Sequence, residues 1–351
     1  MLNNVVGNNL NIDGCMPVKT ASPVFRGSKV DLSQKPDEFV RQNDKNQEPK
    51  KRHSILMQMG LSILALGGIV AAAILTKGKT SKTSKSVIKQ QAPVDELQKL
   101  VENGKISQEY LNIFKKTKDL EGNEFIAQAY SELLSVMGYG KTGPRLRIKT
   151  NASNGGCSAN EIVISTKTYN NKMDQLEVLR HELEHFRQND MAYRAFGKDQ
   201  YVEAKAAPTI EKLKMNEEFC KEKFNGRIFS EVSPSELESF MARLKMQIAE
   251  DAKIYETTLK QKGIIPSGTS EYNEAKKYLE GFRNYRTPSM ILTKAERMLG
   301  YSVLEQTNPT KYKEVEKLFK EYHNNELEKG AFKEGDTIKE MYDEFLEALG
   351  L

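Results

Sequence analysis

Two of the four histidines in this 351-residue chain stand four residues apart, with a glutamate directly after the first. The stretch is LEVLRHELEHFRQ, residues 176–188, and the pattern is His181-Glu182-x-x-His185. On an α-helix, positions four apart lie one turn above each other and project to the same side. That spacing lets two imidazoles bind a single tetrahedral zinc ion through their ring nitrogens. Glu182, beside the first imidazole, can hold a water molecule and take its proton once an ion has lowered the water's pKa toward ~7. The chemistry to expect is metal-assisted hydrolysis of a polarised carbonyl. His181 and His185 are the candidate zinc ligands and Glu182 the candidate general base.

The elements around the motif must hold it in place. Leu176, Leu179, Leu183 and Phe186 recur at steps of three, four and three, which predicts a helix with one buried face, and Gly197 is its candidate stop. Before it the hydrophobic period changes to two. RLRIKT (145–150) alternates Leu146 and Ile148, and EIVIST (161–166) alternates Ile162 and Ile164, so a pair of short strands with a long connection is expected. Helical patterns precede the strands, the second ending on Gly138 and Gly140. Everything after Asn171 reads as helix, with a run over 233–262 opened by Ser233, Pro234 and Glu236 as a capping box. Further runs are expected at 270–285, 288–305, 311–322 and 326–349. The fold class is mainly α with a small β element, α+β.

A strand followed by a helix bearing His-Glu-x-x-His resembles the zincin superfamily of metallopeptidases. The resemblance is specific over about 145–190, and it implies zinc as cofactor, a protein or peptide as substrate, and EIVIST as the strand beside the substrate cleft. A third ligand is then required. The metzincin continuation fails, because Gln188 stands at its glycine position and Met191 at its third histidine. A glutamate from a later helix, as in gluzincins, remains. Two segments carry the Glu-x-x-Ala pattern of that group, YVEAKAAP with Glu203 and Ala206, and YHNNELEKGAFKEG with Glu328 and Ala331. A helix continuing to Phe196 carries the chain about 16 Å past His185, and the return to Glu203 recovers only about 6 Å. Glu203 is therefore the runner-up and Glu328 the preferred ligand, with His323 and Glu296 behind them. The Glu328 string is similar to a Tyr-x-Asn-x-x-Leu-Glu-x-x-Ala signature, except that Gly330 replaces a second acidic residue. Glu328 also lies three residues after Asn325, where a helix-capping role is the simplest alternative. His323 and Tyr322 are the nearby side chains that could stabilise an oxyanion.

Charge is divided unevenly. Residues 1–91 hold 14 Lys and Arg against 6 Asp and Glu, whereas 92–351 hold 39 against 42. The C-terminal part has no basic footprint for phosphate contacts, which argues against nucleic acid as a partner. Three cysteines with no Cys-x-x-Cys pair make neither a disulfide framework nor a thiolate zinc site. Residues 1–53 read as a disordered polar tail and 77–91 as a Lys/Ser/Thr linker, leaving 92–351 as the zincin-like domain. Between tail and linker, 54–76 reads as a single transmembrane helix. Its core, from Ile55 to Leu75, has 21 residues and no charge, and about 31 Å of helix crosses a hydrocarbon layer. The basic residues on its two sides are balanced, so orientation stays open. The reading is a membrane-anchored zinc peptidase; a membrane-tethered interaction module that keeps the fold without turnover is the alternative. Carbonate extraction of the full chain is expected to leave it in the membrane pellet, and its release into the supernatant would reject the anchor.

Overall fold

The computed structural model describes residues 94–150 and 156–351. The tail, the candidate membrane segment and the linker lie outside these residues. Among the described residues no helix is long and apolar enough to cross a membrane. The chain is mostly helical with one small sheet, as the periodicities predict. Helices α1 (Val94–Glu102), α2 (Gln108–Thr117) and α3 (Gly122–Val136) come first, and strands β1 (Arg145–Lys149), β2 (Gly156–Cys157) and β3 (Glu161–Ser165) follow. The rest is helical: α4 (Lys172–Met215), α5 (Glu217–Lys223), α6 (Pro234–Asp251), α7 (Lys253–Lys262), α8 (Ser270–Arg283), α9 (Lys294–Leu299), α10 (Tyr301–Thr307), α11 (Pro309–Asn324) and α12 (Glu326–Ala348).

The histidine helix α4 is the axis of the fold. Asn171 caps it by accepting a hydrogen bond from the Asp174 amide at 2.8 Å, satisfying one of the amides a helix start leaves open. Leu176, Leu179, Leu183 and Phe186 are all fully buried. Side chains of that size each contribute about 2 kcal/mol on burial, so this stripe anchors the helix firmly. Gly197 adopts φ 76° and divides α4 into two helical segments, placing the break at the residue expected. Helices α12 and α8 cover α4 most extensively, with α6 and α3 packing on it as well.

The sheet has the order β1-β3-β2. Strand β1 pairs parallel with β3, Leu146 opposite Ile162 and Ile148 opposite Ile164. Strand β2, which has too few residues to show a period, pairs antiparallel on the other side of β3. Both pairings bear on β3. Val163 is buried along with Ile162 and Ile164, because β3 is the central strand. EIVIST is therefore covered on both edges over Ile162–Val163 and is not a free edge there. The helix expected over 233–262 is likewise divided at Ala252 into α6 and α7, and that expected over 288–305 is broken at Gly300 (φ 84°). Ser233 and Glu236 do form the capping box.

Two features set how closely α12 approaches α4. Lys339 of α12 pairs with Glu177 at 2.6 Å, and Arg180 of α4 pairs with Glu334. Arg180 and Arg187 both bond the buried Glu184, and Arg187 continues to Glu274 and Tyr278 of α8 at 2.7 and 2.9 Å. These ion pairs tie the helices together, while Gly335 removes the bulk between them. A β-carbon at Gly335 would stand 3.0 Å from the backbone oxygen of Glu177 and 3.6 Å from Cβ of His181. Backbone cannot step aside, so Gly335→Val is expected to destabilise the fold by about 1–3 kcal/mol, read as a lower urea midpoint at unchanged slope. A wild-type midpoint would mean that the helices are not held at this distance.

Candidate metal centre

His181 and His185 share one face of α4, and their Nε2 atoms are 3.1 Å apart. Each ring has a second anchor. His181 has a hydrogen bond to the backbone of Ala331 and meets the Phe332 ring edge-on, with centroids 4.7 Å apart. Nδ1 of His185 lies 3.1 Å from Oε1 of Gln188, one turn along the same helix. Both imidazoles are therefore fixed in rotation, with Nε2 pointing away from α4.

Helix α12 brings the third group. Asn325 caps this helix through the Leu327 amide at 3.0 Å and holds it to α8 by donating to the Gly281 carbonyl at 3.0 Å. The Asn325 amide that a glutamate here could cap donates instead to the Tyr322 carbonyl at 3.0 Å, and Glu328 turns inward, where it is 1% exposed. Its Oε1 accepts a hydrogen bond from the Tyr285 hydroxyl at 2.8 Å and lies 3.6 Å from Nε2 of His185. Its Oε2 lies 3.7 Å from Nε2 of His181 and has no hydrogen-bond partner. A buried carboxylate oxygen without a partner costs several kcal/mol unless a proton or cation satisfies it.

The donor set fits one ion. Bonds of ~2.0–2.1 Å in tetrahedral array put donor atoms about 3.4 Å apart. The two nitrogens are 3.1 Å apart, close to that edge, and each has a different Glu328 oxygen nearest to it, Oε1 at 3.6 Å from His185 and Oε2 at 3.7 Å from His181. His181, His185 and Glu328 form a group whose ligand atoms all fall within 4.8 Å of one another. Two histidine nitrogens and a carboxylate oxygen also suit zinc chemically. Burial pushes the His181 imidazole down to about 3, and His185 adds to the shift, so His181 is neutral and able to accept a metal well below neutral pH. Burial alone would raise the Glu328 carboxyl, but His185, His181 and the Tyr285 hydroxyl outweigh it and hold the group in its anionic form.

The other candidates fall elsewhere or take supporting positions. Glu203 lies at the surface in an ion pair with Lys245 at 2.5 Å. Glu296 caps α9 from its third position and pairs with Lys311 at 2.6 Å. Asp190 is buried against Tyr139, Thr258 and Arg194, on the core side of α4. Glu182 is half-buried beside His181. Tyr322 lies close to both acids: burial, then the charges of Glu328 and Glu182, raise its hydroxyl far above the usual phenol range. His323 stacks between Phe319 and Phe332, and burial lowers its pKa. Sequence spacing does not point to Tyr285, which reaches Glu328 across 43 positions with no local pattern to announce it. Gln188, which excludes the metzincin pattern, supports His185, a role legible in its i+3 spacing.

No family model, curated protein or solved structure matches the chain.

Because His181 is held below the free imidazole value of ~6.5, the unfolded chain takes up this proton before the folded one as pH falls. Its stability contribution is complete above about pH 6.5 and drains away as pH drops toward 3. For the chelator-treated protein, this group is expected to remove about 2 kcal/mol between pH 7 and pH 5. Urea unfolding at the two pH values, for wild type beside His181→Gln, isolates it. An equal loss in the variant would show that the imidazole is not buried neutral.

Proposed function

We propose that this protein is a zinc-dependent peptidase of zincin-like organisation, tethered to a membrane by residues 55–75. The observation that carries the reading is the convergence of His181, His185 and the buried, half-satisfied Glu328 from two helices, with Glu182 one residue from the first histidine. His181, His185 and Glu328 would hold the ion. A zinc ion there supplies Lewis acidity, polarising a carbonyl and making water acidic enough to attack it near neutral pH.

The chain's own residues supply the proton handling. Glu182 accepts a proton from the attacking water as its oxygen bonds the carbonyl carbon, then delivers that proton to the amine as the C–N bond breaks. Tyr322 keeps its own proton at any ordinary pH, since burial and its bonded neighbour Glu328 raise it, and Tyr322 and His323 are the nearby side chains that could stabilise an oxyanion. Tyr285 holds Oε1 of Glu328, so Oε2 is the oxygen that would be free to bind an ion. The substrate class is protein or peptide.

Two variants separate binding from turnover. Glu182→Gln keeps size and shape but removes the base, so hydrolysis should fall by ~10²-fold or more with zinc content near wild type. Glu328→Ala, His181→Ala and His185→Ala should each lower zinc occupancy, whereas Glu203→Ala should leave both properties unchanged. Metal analysis and peptide turnover of the purified full-length variants decide the matter. Equal zinc in all of them would end the reading, and turnover indifferent to Glu182→Gln would leave a metal-holding interaction module.

A further inference from the structure

Gln188 is fully buried, and its two amide atoms reach two different helices. Its Nε2 donates to the backbone carbonyl of Leu327 at 2.8 Å, and its Oε1 lies 3.1 Å from Nδ1 of His185. The orientation of the amide is not arbitrary. A backbone carbonyl can only accept, so the NH₂ group must face Leu327 and the oxygen must face the imidazole. An amide oxygen only accepts as well, so the imidazole nitrogen opposite it must carry the hydrogen. His185 is thereby fixed as its Nδ1–H tautomer, with the Nε2 lone pair directed at His181 and Glu328.

We infer that Gln188 is a positioning residue of the centre, setting the His185 tautomer and at the same time the placement of the third ligand. This rests on the zinc-site reading and extends it to a residue that does not touch the ion. Leu327 immediately precedes Glu328, so one amide fixes a ligand on α4 and the backbone that carries a ligand on α12. The space for it comes from Gly330. A β-carbon at that position would lie 2.9 Å from Nε2 of Gln188, closer than ordinary packing allows. The departure from the signature at Gly330 therefore has a physical partner. The outer support comes from Gln188 on the histidine helix itself, and the position facing it on α12 has given up its side chain. The result is the Nε2 lone pair of His185 held 3.1 Å from Nε2 of His181 with a carboxylate beside them, a cluster that a cation would satisfy.

The test uses the full chain, purified in detergent, with ¹⁵N-labelled histidine. In the metal-free wild type the His185 ring shifts should report the Nδ1–H tautomer. In Gln188→Met, which keeps the length and apolar body of the side chain but offers no amide oxygen, they should report a mixture. Competitive titration against a chromophoric chelator should show zinc held about 10- to 100-fold more weakly by this variant. Gln188→Glu keeps an acceptor opposite Nδ1 and should restore the tautomer. An unchanged His185 tautomer in Gln188→Met overturns the inference whether or not zinc binds, and so does wild-type zinc affinity in that variant. Failure of the wild type to take up zinc at all would instead count against the metal site, leaving the tautomer measurement to decide the role of Gln188. Should Gln188→Met not fold, a Gln188→Glu protein without the Nδ1–H signature overturns the inference equally.

Discussion

A carboxylate cannot be buried cheaply, and Glu328 is buried with one of its oxygens unsatisfied. Taking such a charge out of water costs several kcal/mol even after relaxation, and the cost is recovered only through a cationic partner and complete hydrogen bonding. Tyr285 provides half of that. The other half is two imidazoles at 3.6 and 3.7 Å, too far for hydrogen bonds and well placed for a shared ion. Much of the domain is arranged around this constraint. Asn325 takes over the capping of α12, Gly335 lets that helix approach α4, and the Lys339–Glu177 and Arg180–Glu334 pairs hold it there.

The same helix that presents the imidazoles also organises the core, and its faces are strictly divided. Leu176, Leu179, Leu183 and Phe186 look inward to the hydrophobic interior, while Arg180, Glu184 and Arg187 form a buried ionic seam with α8 and α12. A seam of this kind adds little net stability over apolar packing, but breaking one member leaves an uncompensated charge, which penalises alternative packings of the helices. Rigid supports matter to a metal site, since ligand atoms displaced by an ångström no longer share an ion.

Much of the candidate site is legible in the sequence because its parts are local. The shared face of His181 and His185, with Glu182 beside the first, follows from helical spacing alone, and Glu203 lies at the surface against Lys245. Glu328 shares its Glu-x-x-Ala context with Glu203, so reach along the chain separates the two, and burial beside the histidines distinguishes Glu328 from a capping acid. The remainder depends on tertiary neighbours. Tyr285 meets Glu328 only because α8 and α12 pack together, and nothing near either residue encodes that meeting. Strand β3 shows the same dependence. Its alternation of Ile162 and Ile164 suggests one wet face, but β2, too short to carry a period, closes its far edge and Val163 is buried too.

The stretch between α8 and α12 behaves as an inserted lobe. It has a small hydrophobic centre of its own, Leu292, Leu304 and Val315, and it departs and returns through two aromatic residues whose rings meet, Tyr285 and Tyr322, with centroids 5.9 Å apart. Both bordering tyrosines lie against Glu328. A loop closed at its base costs only slowly more entropy as it lengthens, roughly 0.6 kcal/mol for each doubling. Changes of length within the lobe are therefore cheap, while the ring contact of Tyr285 with Tyr322 keeps both residues beside Glu328.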